Sequence, residues 1–336
     1  MKNLLSLFAA LGFMLCSCSD GMKMEAPDSE RGNNQITIAN WNLQTFFDGK
    51  KDGCEYKEYQ KSAEWNNESY KVRLERLCQF IKQTDADIFV FEEMENENII
   101  YDISNQLSAA GYNWKQNQFW NYSVFAKPEG TAIGIGILSR YELKNVRTHF
   151  MDIRIHNTAQ PSSRYLLEAQ VYAGKGHFTI LTNHWKSKSG GQEETEIWRD
   201  WQESLLGKRL SELLEKENAA LIICGDFNRD TQDFASSGDS IFLRYAGFGY
   251  TDYCQVKSLW YNQKGNYVGD QGSYFYNDQW ERIDNIMLAG KVSRDLFFPD
   301  TRGPWASEEG SPVSYKIYSG QGWSDHLPLY ARIYID

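Results

Sequence analysis

The sequence has no excess of positive charge. It carries 35 Lys and Arg residues against 45 Asp and Glu residues, which gives a formal net charge of -10 at pH 7. A protein that coats nucleic acid must neutralise many phosphates with a basic surface, so this composition excludes a broad, stoichiometric nucleic-acid binder. An acidic chain is still compatible with an enzyme that holds one phosphate locally and then releases it.

The sequence also lacks a hydrophobic run long enough to cross a membrane. Its apolar stretch at residues 4–15 is shorter than the roughly 20 residues of a spanning helix, but it has the length of a signal peptide. The small residue Ser17 before Cys18 resembles the lipobox of bacterial lipoproteins. We therefore expect a lipoprotein signal peptide at residues 1–17, lipidation at Cys18 and a flexible tether at residues 18–34.

The N-terminal segment predicts where the protein is located, and the location bears on the state of its cysteines. We expect a protein exported and lipid-anchored to a bacterial membrane, at the outer membrane or the cell surface, with plain secretion as the alternative. Export permits disulfides, yet only four cysteines follow Cys18. Cys224 lies in an apolar segment and is expected to be a buried thiol. A bond between Cys54 and Cys78 is conceivable, but spacing alone does not establish it, and the state of Cys254 stays open.

No repeat, low-complexity tract or linker interrupts residues 35–336, so we expect one large domain there. Continuous apolar runs at residues 87–91 and 219–224 are typical of strands buried on both faces. Between such runs, residues 72–82 and 199–216 have apolar side chains at helical spacing. Strands and helices are interleaved along the chain, which predicts a layered α/β domain with mixed sheets.

Polar residues cluster at the ends of six apolar segments. Carboxylates, amides and histidines are costly to bury there unless they are paired or bind a metal. Ligand sites in layered α/β folds lie at strand ends, so we expect these residues to meet in one anionic pocket that binds a hard cation. The clusters are Trp41-Asn42, Glu92-Glu93, Asn183-His184, Gly225-Asp226-Phe227-Asn228, Arg282-Ile283-Asp284-Asn285 and Ser324-Asp325-His326.

Each cluster also has a simpler structural explanation. Asn42 alone is more often a turn residue, and the segment from Asp226 to Asn228 is compatible with an Asx turn. Asp325 and His326 fit a surface turn. Six independent coincidences are nevertheless required if none of the clusters serves a shared site.

The clusters make the chain similar to the endonuclease/exonuclease/phosphatase family, which includes deoxyribonuclease I, abasic-site endonucleases, sphingomyelinases and inositol phosphatases. The strongest match is Gly-Asp226-Phe-Asn228, followed about a hundred residues later by Ser-Asp325-His326. This resemblance covers the whole predicted domain. It implies a four-layer α/β sandwich of two mixed β-sheets flanked by helices, with the site at one edge.

The resemblance also implies a divalent-metal site. Glu93 resembles the main metal ligand of the family, with Asn42 beside it and Asp325 as a further contributor. A small set of oxygen ligands suits Mg²⁺ or Mn²⁺, which keep several waters and bridge to phosphate oxygens. Ca²⁺ is a possible structural helper.

Five further residues resemble the catalytic set of the family. His326 resembles the general base or phosphate-polarising histidine, and Asp284 resembles the carboxylate that fixes its tautomer. Asp226 and Asn228 resemble the pair that orients the attacking water. His184 resembles the second histidine, which protonates the leaving oxygen in the nuclease branch.

The segment Asn-His184-Trp-Lys186-Ser-Lys188 is similar to the Asn-His-x-Lys-Ser-Lys block of secreted bacterial nucleases. Lys186 and Lys188 would then contact flanking phosphates, and Arg140 would add a further contact. We therefore expect a monomeric, low-specificity extracellular deoxyribonuclease with DNA as its substrate.

Two other functions fit parts of the sequence. A lipid or inositol phosphate phosphatase, or a sphingomyelinase, suits a membrane-tethered chain, but Cys224 stands where the inositol phosphatases have a tryptophan. A non-enzymatic surface adhesin predicts decay of the site residues, which is not seen. The base-repair branch fits poorly, because Gln44 replaces an acid and His184 replaces a tyrosine.

Overall fold

The computed structural model describes residues 34–111, 119–151, 153–155, 158–174, 176–246 and 250–336. The predicted signal peptide, the lipidation at Cys18 and the predicted tether up to residue 33 lie outside these residues. None of the described helices is both long enough and apolar enough to span a membrane.

Strands make up most of the regular structure. In chain order they are β1 (Gln35–Phe46), β2 (Ile88–Met94), β3 (Tyr122–Ala126), β4 (Gly134–Ser139), β5 (Glu142–His149), β6 (Arg154–Ile155), β7 (Thr158–Ala159), β8 (Leu166–Ala173), β9 (Gly176–His184), β10 (Ala220–Asp226), β11 (Ser236–Ser237), β12 (Ser240–Ala246), β13 (Thr251–Ser258), β14 (Tyr274–Tyr276), β15 (Gln279–Glu281), β16 (Asp284–Gly290), β17 (Val292–Pro299) and β18 (Leu329–Ile335). The helices are α1 (Lys57–Lys61), α2 (Asn67–Thr84), α3 (Asn98–Ala109) and α4 (Gln192–Leu214), with a 3₁₀ turn at Thr231–Asp233.

The strands form two large mixed sheets and two small hairpins. The first sheet has six strands in the order β17-β18-β1-β2-β4-β3, and the second has eight in the order β11-β12-β13-β16-β10-β9-β8-β5. The pairs β1–β2 and β9–β10 are parallel, whereas the other pairs are antiparallel. The hairpins are β14–β15 and β6–β7.

Three hydrophobic cores hold the layers together. Strand β2 shows the principle, because Val90 joins the core between the two sheets while Phe89 and Phe91 join the core between the first sheet and helices α2 and α3. On the second sheet, Ile223 joins a core with Leu206 of α4. Each fully buried apolar side chain stabilises the fold by about 1.5–3 kcal/mol. The order is helix, sheet, sheet, helix, which confirms the predicted four-layer α/β sandwich.

Helix α2 starts earlier than its apolar periodicity predicts. The Asn66 side chain accepts hydrogen bonds from the N–H groups of Glu68 and Ser69, so the helix begins at Asn67. It ends at Thr84, because the next residue, Asp85, adopts a left-handed conformation with φ of 50°. The polar segment between β1 and α2 contains the short helix α1.

Strand direction brings the polar clusters to one edge. The parallel strands β1 and β2 end together, with Asn42 paired to Glu92, and β9 and β10 end together, with His184 paired to Asp226. The antiparallel strand β16 begins at the same edge, where Asp284 pairs with Asp226. Strand β18 likewise begins beside the end of β1. The carboxyl ends of four strands and the amino ends of two therefore meet there.

The four cysteines within the described residues are free thiols. Cys224 is fully buried, which confirms that prediction. Cys54 is exposed and Cys78 is buried, so the conceivable bond between them is not formed.

Candidate active site

Strands β1 and β2 depart from regular pairing at the site. Pairing of β1 with β2 shifts register after Asn42, and pairing of β2 with β4 shifts between Glu92 and Met94. Glu93 lies in this second irregularity with φ of 63°. Positive φ in a residue other than glycine costs about 1–3 kcal/mol and is concentrated at functional sites. The bulge leaves the Glu93 side chain 18% exposed at the edge, whereas Glu92 is completely buried.

A hydrogen-bond network links the two sheets. The Asn42 amide donates to Asp226 Oδ2 at 3.0 Å and to Glu93 Oε1 at 3.3 Å. The backbone N–H of Thr45 donates to Glu93 Oε2 at 2.6 Å. Asp226 also accepts bonds from the backbone and the side-chain amide of Asn228, at 2.7 and 3.1 Å. Asn42, Glu93, Asp226 and Asn228 are therefore held as one unit, although they come from three separate parts of the chain.

Only glycine fits sterically at position 225, the first residue of the Gly-Asp-x-Asn block. Gly225 has φ of 134°, and a Cβ added there would lie 2.0 Å from the carbonyl oxygen of Asn183. Strand β10 therefore approaches β9 more closely at this residue than any other amino acid permits. This close approach places Asp226 beside His184.

His184 lies deep in the site. Its Nε2 atom is 3.6 Å from both Glu93 Oε1 and Asp226 Oδ2, which is too long for a good hydrogen bond. No described residue bonds its Nδ1 atom, so no carboxylate partner for that nitrogen is found among them. Burial and the nearby charge of Arg164 lower the pKa of His184 well below its ordinary value, which keeps the ring neutral.

His326 and Asp284 form the buried histidine–carboxylate pair that the resemblance predicts. His326 Nδ1 lies 2.7 Å from Asp284 Oδ2, and both side chains are buried. Burial alone would lower the pKa of His326, but the charge and hydrogen bond of Asp284 outweigh it and raise the pKa well above the ordinary value. On its other side, His326 Nε2 lies 3.9 Å from Asp325, and its ring is 4.9 Å from that of Tyr274.

The site carries an excess of buried negative charge. Burial and the neighbouring Asp284 raise the pKa of Asp226 to about 7. Burial and Asp325 raise the pKa of Glu93. The Asp284 Oδ1 atom is buried and accepts no hydrogen bond from any described residue. Carboxylates that raise one another's pKa, with an unused buried oxygen, form a donor set that fits a hard divalent cation.

Two neighbouring groups of side chains at this edge offer ligand atoms for a metal ion. Asp226, Asp284 and His326 each offer an atom within 4.8 Å of the others. Asp284 and His326 are already bonded to each other, so we favour the oxygens of Glu93 and Asn42 as ligands, with Asp325 beside them. These assignments remain predictions, but the structure does bring all eight predicted metal and catalytic residues to this one edge.

Arg140 is not at this edge, and the prediction that it contacts substrate there is corrected. Its guanidinium pairs with Asp85 and Asp87 and lies 4.4 Å from the ring centre of Trp120. Asp87 precedes β2, whose opposite end carries Glu93. Six residues of strand at about 3.3 Å each separate the two ends by roughly 20 Å.

Lys186 and Lys188 follow the site directly but are bonded within the protein. Lys186 Nζ donates to the carbonyl oxygens of Ser187 and Ser189, at 3.0 and 3.1 Å. Lys188 forms an ion pair with Glu281. Their predicted contacts with substrate phosphates therefore require these internal bonds to exchange for new ones.

Arg164 belongs to the site but was missed by the sequence analysis. It lines a small cavity together with Asn183, His184 and Trp185. Its charge acts to lower the pKa values of both Glu93 and His184. It also interacts with the Tyr56 side chain through a hydrogen bond and through its charge, and both act to lower the pKa of that tyrosine. It lies in an irregular segment before β8, where no motif or periodicity marks it.

A family model described as Endonuclease/Exonuclease/phosphatase family matches residues 37–302. The chain belongs to this family. Members hydrolyse phosphoester bonds and typically use a divalent metal ion, and this chain is accordingly a phosphoester hydrolase with a buried Asp/His cluster that suits such an ion.

Solved structures of the endonuclease/exonuclease/phosphatase family share the fold at low sequence identity. Truncated Caenorhabditis elegans TDP2 is 14% identical with a TM-score of 0.56, covering 89% of this chain and 98% of that chain. A family protein from Bacteroides thetaiotaomicron is 15% identical with a TM-score of 0.56, covering 90% and 98%. A mannosyl-6-phosphatase from the same organism is 14% identical with a TM-score of 0.54, covering 89% and 99%. No curated protein matches the chain.

Proposed function

We propose that this family member is a metal-dependent phosphodiesterase and that its substrate is DNA, which it cleaves with low sequence specificity. The observation that carries the proposal is the placement of two buried histidines around Asp226. His184 Nε2 lies 3.6 Å from an Asp226 oxygen, and a His326 ring nitrogen lies within 4.8 Å of one. Diester hydrolysis needs proton transfer for both the attacking water and the leaving oxygen.

The side chains divide this work. Asp284 holds the proton of His326 on Nδ1, so that Nε2 faces the site. Asp226 and Asn228 orient the attacking water. We assign the proton of neutral His184 to Nε2, because that nitrogen faces two carboxylates while Nδ1 has no bonded partner. Asp226 accepts the proton of that water, protonated His326 gives a proton to the leaving oxygen, and His184 donates a hydrogen bond to a phosphate oxygen. A divalent ion held by Glu93 and Asn42 would neutralise the phosphate and lower the pKa of a bound water.

The choice of DNA rests on the segment after His184. Lys186 and Lys188 extend from this segment beside the site, and exchange of their internal bonds for phosphate contacts would position a nucleic-acid strand. With few basic groups available on an acidic chain, contacts are made to the backbone and not to base edges. Low sequence specificity follows from that limitation.

A second candidate is a phosphomonoesterase that acts on a small sugar phosphate. It is favoured by the internal bonds of both lysines and by the remote position of Arg140. Arg164, which lines the cavity beside His184, then supplies the nearby cation, and one cation suits one phosphate better than a long strand. A mannosyl-6-phosphatase is among the proteins with the same fold.

We further propose that the protein acts outside the cytoplasm as a monomer anchored through Cys18. The support is the apolar segment at residues 4–15 and the small residue before Cys18. Metabolic labelling with a fatty acid tests the anchor. Labelled protein that loses its label in a Cys18→Ser variant supports the proposal, and an unlabelled wild-type protein refutes it.

Hydrolysis assays test the proposed function. The chain without residues 1–17 is incubated with supercoiled plasmid and Mg²⁺, with and without chelator, and compared with His326→Ala. The control is His177→Ala, which changes an exposed histidine on β9. We expect nicking that requires the metal and His326 but not His177. Intact plasmid together with phosphate release from sugar phosphates would select the second candidate, and sphingomyelin or inositol phosphate hydrolysis would select the lipid branch.

A further inference from the structure

A short aromatic hairpin lies beside the catalytic histidine. It consists of β14 and β15, joined by Asn277 and Asp278, whose φ angles are 49° and 59°. Two successive residues in the left-handed region are typical of a type I′ turn, which matches the twist of a two-residue hairpin. The tip is therefore conformationally defined.

One face of the hairpin carries a ladder of two tyrosines that starts at the active site. The Tyr274 ring lies 4.9 Å from the His326 ring. The Tyr276 ring lies 6.3 Å further along, nearly parallel to Tyr274 at 19°. Tyr276 is 59% exposed, so its free face is not part of a hydrophobic core. Most large aromatic side chains in folded proteins are much more buried than this.

The opposite face anchors the hairpin to the protein. Phe275 and Trp280 lie 4.8 Å apart on that face, and Trp280 packs against the core of the first sheet. The backbone N–H of Leu327 donates to the Ser273 carbonyl oxygen at 2.7 Å, which ties the hairpin to the segment that carries His326. The ladder is therefore held at a defined position relative to His326.

We propose that Tyr274 and Tyr276 form a stacking platform for the nucleobase next to the scissile phosphate. This inference rests on the proposed action on DNA and specifies how the strand is held. Tyr276 offers its exposed ring face to the base, and Tyr274 supports Tyr276 from behind. Every base has a flat face, so the platform binds without sequence preference. A base must leave its duplex neighbours to stack there, so single strands and frayed ends are preferred over intact duplex.

Two matched oligonucleotides test the platform. One is oligothymidylate, and the other has the same length but carries tetrahydrofuran residues without bases. The variants are Tyr276→Ala, Tyr276→Phe and, as a control on an exposed tyrosine of β13, Tyr253→Ala. Thermal melting confirms that each variant is folded.

For Tyr276→Ala we expect KM for oligothymidylate to rise about 5- to 150-fold, which corresponds to the loss of one stacked base. The kcat stays close to wild type, because Tyr276 does not touch the reacting atoms. KM for the baseless strand is unchanged. Tyr276→Phe keeps the ring and behaves like wild type, as does Tyr253→Ala.

An equal rise in KM on both strands would place the sugar or backbone on the tyrosines and overturn the inference, as would an unchanged KM on both. In either case the proposed action on DNA survives, because cleavage is still observed. If the wild-type protein nicks plasmid but cleaves neither strand, the platform is refuted and the DNA substrate stands, whereas intact plasmid as well refutes the DNA substrate itself.

Discussion

Replacement of Asp284 by asparagine should lower the catalytic rate while the protein stays folded. In the folded protein, Asp284 Oδ2 lies 2.7 Å from His326 Nδ1, and the carboxylate outweighs the burial that would otherwise lower the pKa of His326. The amide has the same size but no charge, so burial acts unopposed by its nearest carboxylate. His326 then loses the largest contribution that raises its pKa, so its protonated form is less favoured.

Loss of an oriented acid–base group lowers kcat by about 10²- to 10⁴-fold, or about 3–5 kcal/mol in activation free energy. We expect kcat to fall by this amount while KM changes little, because Asp284 acts through His326 and not on the substrate. Steady-state kinetics with Mg²⁺ and either plasmid or sugar phosphate measures the effect.

The matched control is Asp87→Asn, which changes an equally buried aspartate at the opposite end of the first sheet. This variant loses hydrogen bonds to Thr37 and an ion pair with Arg140. We expect it to lower the melting temperature without lowering kcat at a temperature where it is folded. If Asp284→Asn keeps most of its kcat, or loses activity only in proportion to unfolding, the assigned role of Asp284 is refuted.

Three further predictions address other parts of the structure. Arg164→Ala removes a cation that lines the cavity beside His184, so KM should rise about 10-fold or more, as expected for a lost charged hydrogen bond of about 1.5–3 kcal/mol; an unchanged KM in steady-state kinetics removes Arg164 from substrate binding. Burial alone would raise the pKa of Glu168, but Arg209 and His149 lower it to about 2. This folded pKa lies below the unfolded value of about 4.3, so the stabilisation is present above that pH and is lost as the pH falls towards 2. Urea denaturation should show Glu168→Gln less stable than wild type by about 1–3 kcal/mol at pH 7, discounted for partial solvation, with a smaller gap at pH 3; an equal gap at both values contradicts the ion-pair explanation. Gly225→Ala places a Cβ against the Asn183 carbonyl oxygen and should lower the free energy of unfolding by at least about 2 kcal/mol, whereas a fully stable variant in the same denaturation assay would show that β9 and β10 can separate.

The predictable part of the fold has side chains whose pattern follows their burial. Residues 88–91 are apolar on both faces because one face of β2 meets the second sheet and the other meets the helices. The sequence did not predict strand β17, because its side chains do not follow a regular apolar pattern. It carries Arg294 and Asp295, and its pairing with β18 shifts register between Arg294 and Leu296. A bulge breaks the alternation on which strand prediction depends.

The residues of the site also divide into those that the sequence predicted and those that it did not. Strand-end clusters predicted the residues on strands whose directions bring them to the active edge. Arg140 also follows a strand, but β4 runs antiparallel to β2, so its carboxyl end lies at the other edge. Sequence does not show strand direction, and it therefore could not exclude Arg140. Arg164 and Tyr274 were missed because only the folded chain brings them to His184 and His326.

The claim on which the account depends is that Glu93 and the residues around it bind one divalent ion between the two sheets. Isothermal titration calorimetry with Mn²⁺ measures this without any substrate. The samples are the chain without residues 1–17, Glu93→Gln, and the surface control Glu142→Gln. We predict one ion per chain for wild type and control, with affinity reduced at least about 10-fold by Glu93→Gln. Equal affinity in all three proteins, or no binding to wild type, would contradict the central claim.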